Sequence, residues 1–199
     1  MHLRSEIDEL VFRKISEHFR IERVHCNLGW VSLQNPGMKY RPEYLNAFNF
    51  ATDVDEIEYI SQFARDAKLD VVRDFYRQTN GMRLLCDKFA VPGVLFHRDD
   101  FTGMDFDCVA LDFSNHGGFV LPKHSPENGL LIGRSHREID GVTVNLHDIL
   151  TKTGEVVGGF FDETPTVKDK FATIPEWLSA RVEVAARELK QEIHLLLNP

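Results

Sequence analysis

LLIGRSHREIDGVTVNLHDILTKTGEVVGGFFD, residues 130 to 162, decides the fold class. The apolar runs at Leu130–Gly133, Val142–Leu146 and Glu155–Phe161 are too short for helices. Asp140-Gly141 and Lys152-Thr153-Gly154 part them with turn-forming residues, so the spacing predicts strands. The last two runs, joined by a loop of several residues, predict an antiparallel hairpin. Upstream, the same pattern predicts strands near Arg83–Cys86, Gly93–Phe96, Cys108–Phe113 and Phe119–Leu121. Gly103, Asn115-His116-Gly117-Gly118 and Pro126-Glu127-Asn128-Gly129 are the turns among them.

Helical periodicity brackets this region. Downstream, Leu178, Val182, Ala185, Leu189, Ile193 and Leu196 form one apolar stripe, predicting a helix from about Ile174 to Leu197. Thr173 and Glu176 form a capping box, with Pro175 in the first turn where its missing N–H costs nothing. Upstream, Ile57, Ile60, Phe63, Ala64 and Ala67 predict a helix beginning near Thr52-Asp53, with Asp53 and Glu56 as its capping box. Leu69 to Thr79 predicts another, with Val72, Phe75 and Tyr76 inward. Asn80-Gly81 stops it, glycine taking the left-handed conformation without a Cβ penalty. The short join between these two helices predicts an antiparallel helical hairpin.

At the N-terminus, Ile7, Leu10, Val11, Ile15 and Phe19 predict a helix over Ser5–Ile21 capped by Ser5. Val24 to Leu33 alternates as a strand, Asn35-Pro36-Gly37 is a turn, and Pro42 to Phe50 carries no assignable pattern. Helices, a run of strands, then a helix describe an α+β domain with a mainly antiparallel sheet. The reading is a single domain over residues 1–199, with a core at 52–197 and residues 1–50 as an N-terminal extension.

With 199 residues the chain can bury roughly 70% of its unfolded surface, so folding calls for neither disulfide nor metal. Cys26, Cys86 and Cys108 are scattered and form no CxxC pair, which fits a reducing compartment. A charged N-terminus and the lack of an apolar run of about 18 residues give the expectation of a soluble, cytoplasmic protein. The net charge is −8. Residues 101–150 hold three basic residues (Lys123, Arg134, Arg137) against seven acidic ones, a balance of −4. Such a field repels phosphate backbones, which argues against nucleic-acid binding. It attracts a basic protein, or serves solubility alone.

Candidate chemistry is sparse. His97-Arg98-Asp99-Asp100 with Asp105 and Asp107 has the oxygen-rich character of a Mg²⁺ or Ca²⁺ loop. The EF-hand order fails, because counting from Asp105 position five is Val109 and position twelve is His116. No metal and no organic cofactor are therefore expected. His116-Gly117-Gly118 reads as a turn rather than an anion nest. Ser135 and His136 adjoin in sequence, but strand neighbours point to opposite faces, so they do not make a nucleophile and base. Trp30, Trp177 and the cysteines read as apolar core or lid residues. No nucleophile elbow, zinc-protease helix, P-loop or dinucleotide fingerprint occurs, and the expectation is a protein that is not an enzyme.

A set of short motifs in a fixed order bears on function. Leu69-Asp70-Val71-Val72-Arg73-Asp74-Phe75-Tyr76-Arg77-Gln78-Thr79-Asn80-Gly81 is a helix closed by Asn-Gly; Val91-Pro92-Gly93-Val94 follows. Then come Gly129-Leu130-Leu131-Ile132-Gly133, Thr153-Gly154-Glu155-Val156-Val157 and Phe171-Ala172-Thr173-Ile174-Pro175-Glu176-Trp177-Leu178. In this order they resemble the SUKH superfamily, which includes bacterial immunity proteins and fungal cell-wall-assembly regulators. The likeness spans about residues 52–180; Asp70 stands where the family usually has Pro, and Met82 where it has a second Gly. The resemblance implies a helix-flanked antiparallel sheet used as a protein-binding scaffold. It implies an immunity protein that neutralises a basic toxin domain, such as a nuclease. Asp99, Asp100, Asp105, Asp107 and Asp112 are the expected partner-binding residues, and Asn80, Gly81, Gly133 and Gly154 the expected structural ones. A regulatory scaffold in cell-wall or signalling assembly is the alternative, and an enzyme with an unrecognised site a second.

Overall fold

The computed structural model describes residues 5–20, 23–26, 30–34, 46–49, 74–75, 77–79, 81–85, 88–91, 130–139, 142–151, 153–161 and 164–197. Helix α1 runs over Glu6–His18 and helix α2 over Ile174–Leu197. Ser5 caps α1 as expected, its hydroxyl accepting from the Asp8 amide at 3.0 Å. The capping box of α2 also forms: the Glu176 amide donates to Thr173 Oγ1 at 3.3 Å, while the Glu176 carboxylate accepts from the Ala172 amide at 3.0 Å. The return bond thus reaches one residue further back than a standard box.

Among the described residues nine strands lie between the helices: β1 Arg23–Cys26, β2 Trp30–Gln34, β3 Asn46–Asn49, β4 Met82–Leu84, β5 Phe89–Val91, β6 Leu130–Ile139, β7 Val142–Leu150, β8 Val156–Phe160 and β9 Thr166–Phe171. They form one sheet in sequence order, every neighbouring pair antiparallel. The expected α+β class and mainly antiparallel sheet are what the chain adopts. β1–β3 belong to the same sheet as the later strands, and α1 packs into the same core as α2.

Several boundaries are corrected. The stretch Val24–Leu33 is two strands, with Cys26 opposite Val31 across a hairpin, because Asn27 and Gly29 interrupt an alternation that had absorbed them. Asn46–Asn49, inside the unassigned stretch, pairs with β2 and β4. β6 and β7 are longer than their apolar runs, since polar residues continue the pairing to Ile139 opposite Val142. β5 and β9 carry too short or too polar a pattern to stand out. The hairpin from Leu84 to Phe89 turns at Leu85, which is buried at φ 55°. Of the expected helix at 69–79, Asp74 and Phe75 are helical, and Phe75 O accepts from the amides of Gln78 and Thr79. Gly81 has φ 88°, the left-handed conformation anticipated for it, as does Gly154. Asn80, the helix from Asp53, and the strands expected at 93–96, 108–113 and 119–121 lie outside the described residues.

Alternation along the strands gives the sheet two buried faces. Toward the helices, Met82, Leu84, Phe89, Val91, Ile132, Leu150 and Val156 meet Ile7, Val11 and Ile15 of α1 and Trp177, Leu178, Val182, Ala185 and Leu189 of α2. Ala90, Leu131, Ile149, Val157 and Phe161 form a smaller cluster outside that core. Trp177 anchors the larger one, fully buried and edge-on to Phe89 at 5.6 Å and to Phe75 at 6.2 Å.

Candidate functional site

The register brings four residues into one cross-strand row. Gly133 of β6 pairs with Asp148 of β7, Asp148 with Gly158 of β8, and Gly158 with Asp169 of β9. Residues opposite one another in an antiparallel pair share a face, and this row faces α2. Trp177 and Arg181, one helical turn apart on α2, lie over its two glycines. A Cβ on Gly133 would stand 2.4 Å from the Trp177 ring, and one on Gly158 would stand 1.9 Å from Arg181 Nη2. The absence of side chains at these two positions lets the helix settle onto the sheet.

The flanking aspartates then close on the arginine. Arg181 Nε donates to both carboxylate oxygens of Asp148 at 3.0 Å, and Nη2 donates to Asp148 Oδ1 at 2.6 Å. Nη1 donates to Asp169 Oδ2 at 2.8 Å, and the guanidinium lies 5.0 Å from the Phe171 ring centre. Asp148 is 0% and Arg181 3% exposed, while Asp169 reaches the surface. Burial works against the arginine's charge, but the hydrogen bonds and charges of Asp148 and Asp169 push its pKa above the ordinary value. Burial raises the Asp148 pKa, against the pull of Arg181. Chemically this is a closed ion triad tying β7 and β9 to α2. Its donors are committed to carboxylates, and no water-filled cleft is needed to explain them.

Three other polar groupings stand out. Asp8, in the first turn of α1, is buried and its pKa is raised to about 7 by burial, against hydrogen bonds to Ser5 and Thr79. At the far end of α1, His18 Nε2 lies 2.8 Å from Glu183 Oε2 of α2, with Glu17 alongside. Along the β6–β7 ladder, Arg134 pairs with His147 and His136 with Asn145; all four are half-buried. Their register, one step from the Gly133–Asp148 row, puts them on the face away from α2.

Gly133 lies under the Trp177 ring, Gly81 and Gly154 each have φ 88°, and Trp177 is fully buried. Ser135 is buried on the α2 face and His136 lies on the other, so the two stay apart as strand geometry requires. Asp99, Asp100, Asp105, Asp107 and Asp112, with Cys86 and Cys108, lie outside the described residues. The triad, Asp8 and the His18–Glu183 pair were missed from sequence. A signal existed for Arg181 and Asp148: a charge one turn from Trp177 on an inward helix face, and another inside the run Leu146-His147-Asp148-Ile149-Leu150. No helix among the described residues is long and apolar enough to cross a membrane. No family model, curated protein or solved structure matches the chain.

Proposed function

We propose that this chain is a non-enzymatic protein-binding module of the immunity type, acting in the cytoplasm by direct contact with a basic toxin domain, such as a nuclease. The observation that carries this reading is the fate of the most deeply buried ion pair among the described residues. Asp148 and Arg181 are sealed between helix and sheet, so their chemistry is spent on holding a rigid scaffold. A rigid sheet with a strongly acidic chain around it suits recognition of a basic surface by charge complementarity. The motif order that resembles the SUKH superfamily supports the same reading. A regulatory scaffold would use the same features toward a different partner.

A second reading, an enzyme, draws on Arg134, His136, Asn145 and His147. Two imidazoles and a guanidinium on alternate cross-strand pairs of one face could hold an anion and move a proton near neutral pH. One experiment separates the readings. The product of the adjacent reading frame is co-expressed with this chain, as wild type or with His136 and His147 both changed to Ala. The immunity reading expects a complex and restored growth with both forms. Rescue that is lost in the double variant, with the complex retained, supports the enzyme, and no complex with either form overturns the immunity proposal for that partner.

A further inference from the structure

We propose that Glu17, His18 and Glu183 form a binding site for one divalent transition-metal ion, zinc by its ligand chemistry, on the seam between α1 and α2. The three side chains each offer one ligand atom, and these atoms all lie within 4.8 Å of one another. Glu17 and His18 come from the last turn of α1 and Glu183 from the middle of α2. Both helices are anchored in one apolar core through Val11 and Ile15 on one side and Val182 and Ala186 on the other, so the ligands rest on fixed backbone.

The donor set selects the metal. One imidazole nitrogen with two carboxylate oxygens is a zinc-type set, in which three protein ligands leave a fourth position for water. Calcium and magnesium prefer oxygen alone, and calcium more ligands. His18 Nε2 and Glu183 Oε2, 2.8 Å apart, already stand near the separation of two ligands on one small ion, which would take the place of the hydrogen between them. The Glu17 carboxylate is about half exposed and needs to move only by a side-chain rotation. Lys14 lies 2.8 Å from Glu17 Oε2, and Arg187 lies 3.7 Å from Glu183 Oε1. Both are exposed or half-buried side chains free to swing outward or to neutralise the second carboxylate oxygens. Bridging two helices, a bound ion would stabilise the folded chain without being required for folding.

The test uses tag-free, chelator-stripped full-length protein. Calorimetric titration with zinc chloride is expected to give one saturable equivalent, and zinc is expected to raise the melting temperature. Cobalt(II) is expected to give visible bands of a low-coordinate nitrogen and oxygen site. His18→Ala should abolish the saturable uptake and the zinc-dependent rise. Glu17→Gln, a change at an exposed position, should weaken uptake while leaving the metal-free melting temperature at the wild-type value, so the proposal is tested even where His18→Ala folds poorly. No saturable uptake by wild type overturns the proposal. So does uptake that is unchanged in Glu17→Gln and His18→Ala, which would place zinc on other histidines.

Discussion

Arg181 of α2 and Asp148 of β7 hold each other across the helix–sheet interface through three hydrogen bonds of 2.6 to 3.0 Å, both fully buried. Replacing a buried pair together can be nearly neutral, whereas removing one partner strands the other charge. Arg181→Leu is therefore expected to lower stability by about 3–5 kcal/mol in urea denaturation. Asp169→Asn should cost about 1 kcal/mol or less, because Asp169 is 41% exposed and water can replace its contact. Equal losses in the two variants would refute the assignment of Asp148 as the buried partner that matters.

Close approach of α2 to the sheet sets a second expectation. Gly158→Ala places a methyl group where Arg181 Nη2 and Asp148 Oδ1 already sit, at 1.9 and 2.6 Å. Neither group can retreat without breaking the triad, so the variant should lose about 2 kcal/mol or more. Gly81→Val is expected to melt lower as well, since φ 88° is closed to a β-branched residue. A Gly81→Val protein that melts like wild type but loses its partner would reassign Asn80-Gly81 from helix closure to recognition.

Asp8 makes stability depend on pH in an unusual direction. Its pKa is about 7 in the folded chain against an ordinary 3.8, with burial as the main cause. Between those values the folded state holds a proton that the unfolded state has released, so the contribution of Asp8 is greatest below about pH 4 and is lost as pH rises through 7. From pH 5 to pH 8 this amounts to a loss of about 2–3 kcal/mol. Asp8→Asn keeps the shape and removes the titration, so its stability should fall less over the same range. Parallel pH profiles for wild type and Asp8→Asn would show that the carboxyl stays ionised in the fold.

What the sequence made legible follows the physics of each signal. The stripe of α2 and the Ser5 cap of α1 are local and repetitive, and both helices were readable to within a few residues. β1 and β2 were read as one strand, because Asn27-Leu28-Gly29 sits inside an otherwise alternating run, and β3 was not read, because Asn46-Ala47-Phe48-Asn49 has little β character. Arg181, Asp148 and Asp169 are far apart in sequence, and only the register that aligns Gly133, Asp148, Gly158 and Asp169 brings them together. A row across strands has no signature along the chain. His18 and Glu183 escaped for the same reason, since their meeting depends on how α1 crosses α2.

The partner-binding prediction rests on charge. Residues 101–150 carry a balance of −4 within a chain of net charge −8, and Asp99, Asp100, Asp105, Asp107 and Asp112 are concentrated in or beside that region. Long-range attraction acts mainly on encounter, so neutralising exposed acids slows association more than it hastens dissociation. Salt screens such charges beyond about 10 Å at 0.1 M, so the wild-type association rate should fall between about 0.05 and 0.5 M salt. The measurement is stopped-flow association with the product of the adjacent reading frame, for wild type and for a variant with Asp99, Asp100, Asp105 and Asp107 changed to Asn. Asp112 is left out because it falls in a strand expected from sequence, where its side chain can face inward. The variant should associate at least about tenfold more slowly at low salt and lose most of the salt dependence. A wild-type rate indifferent to salt, matched by the variant, would remove the acidic face from the account and direct the search for the binding surface to the face of the sheet away from α2, where Arg134 and His147 stand opposite each other.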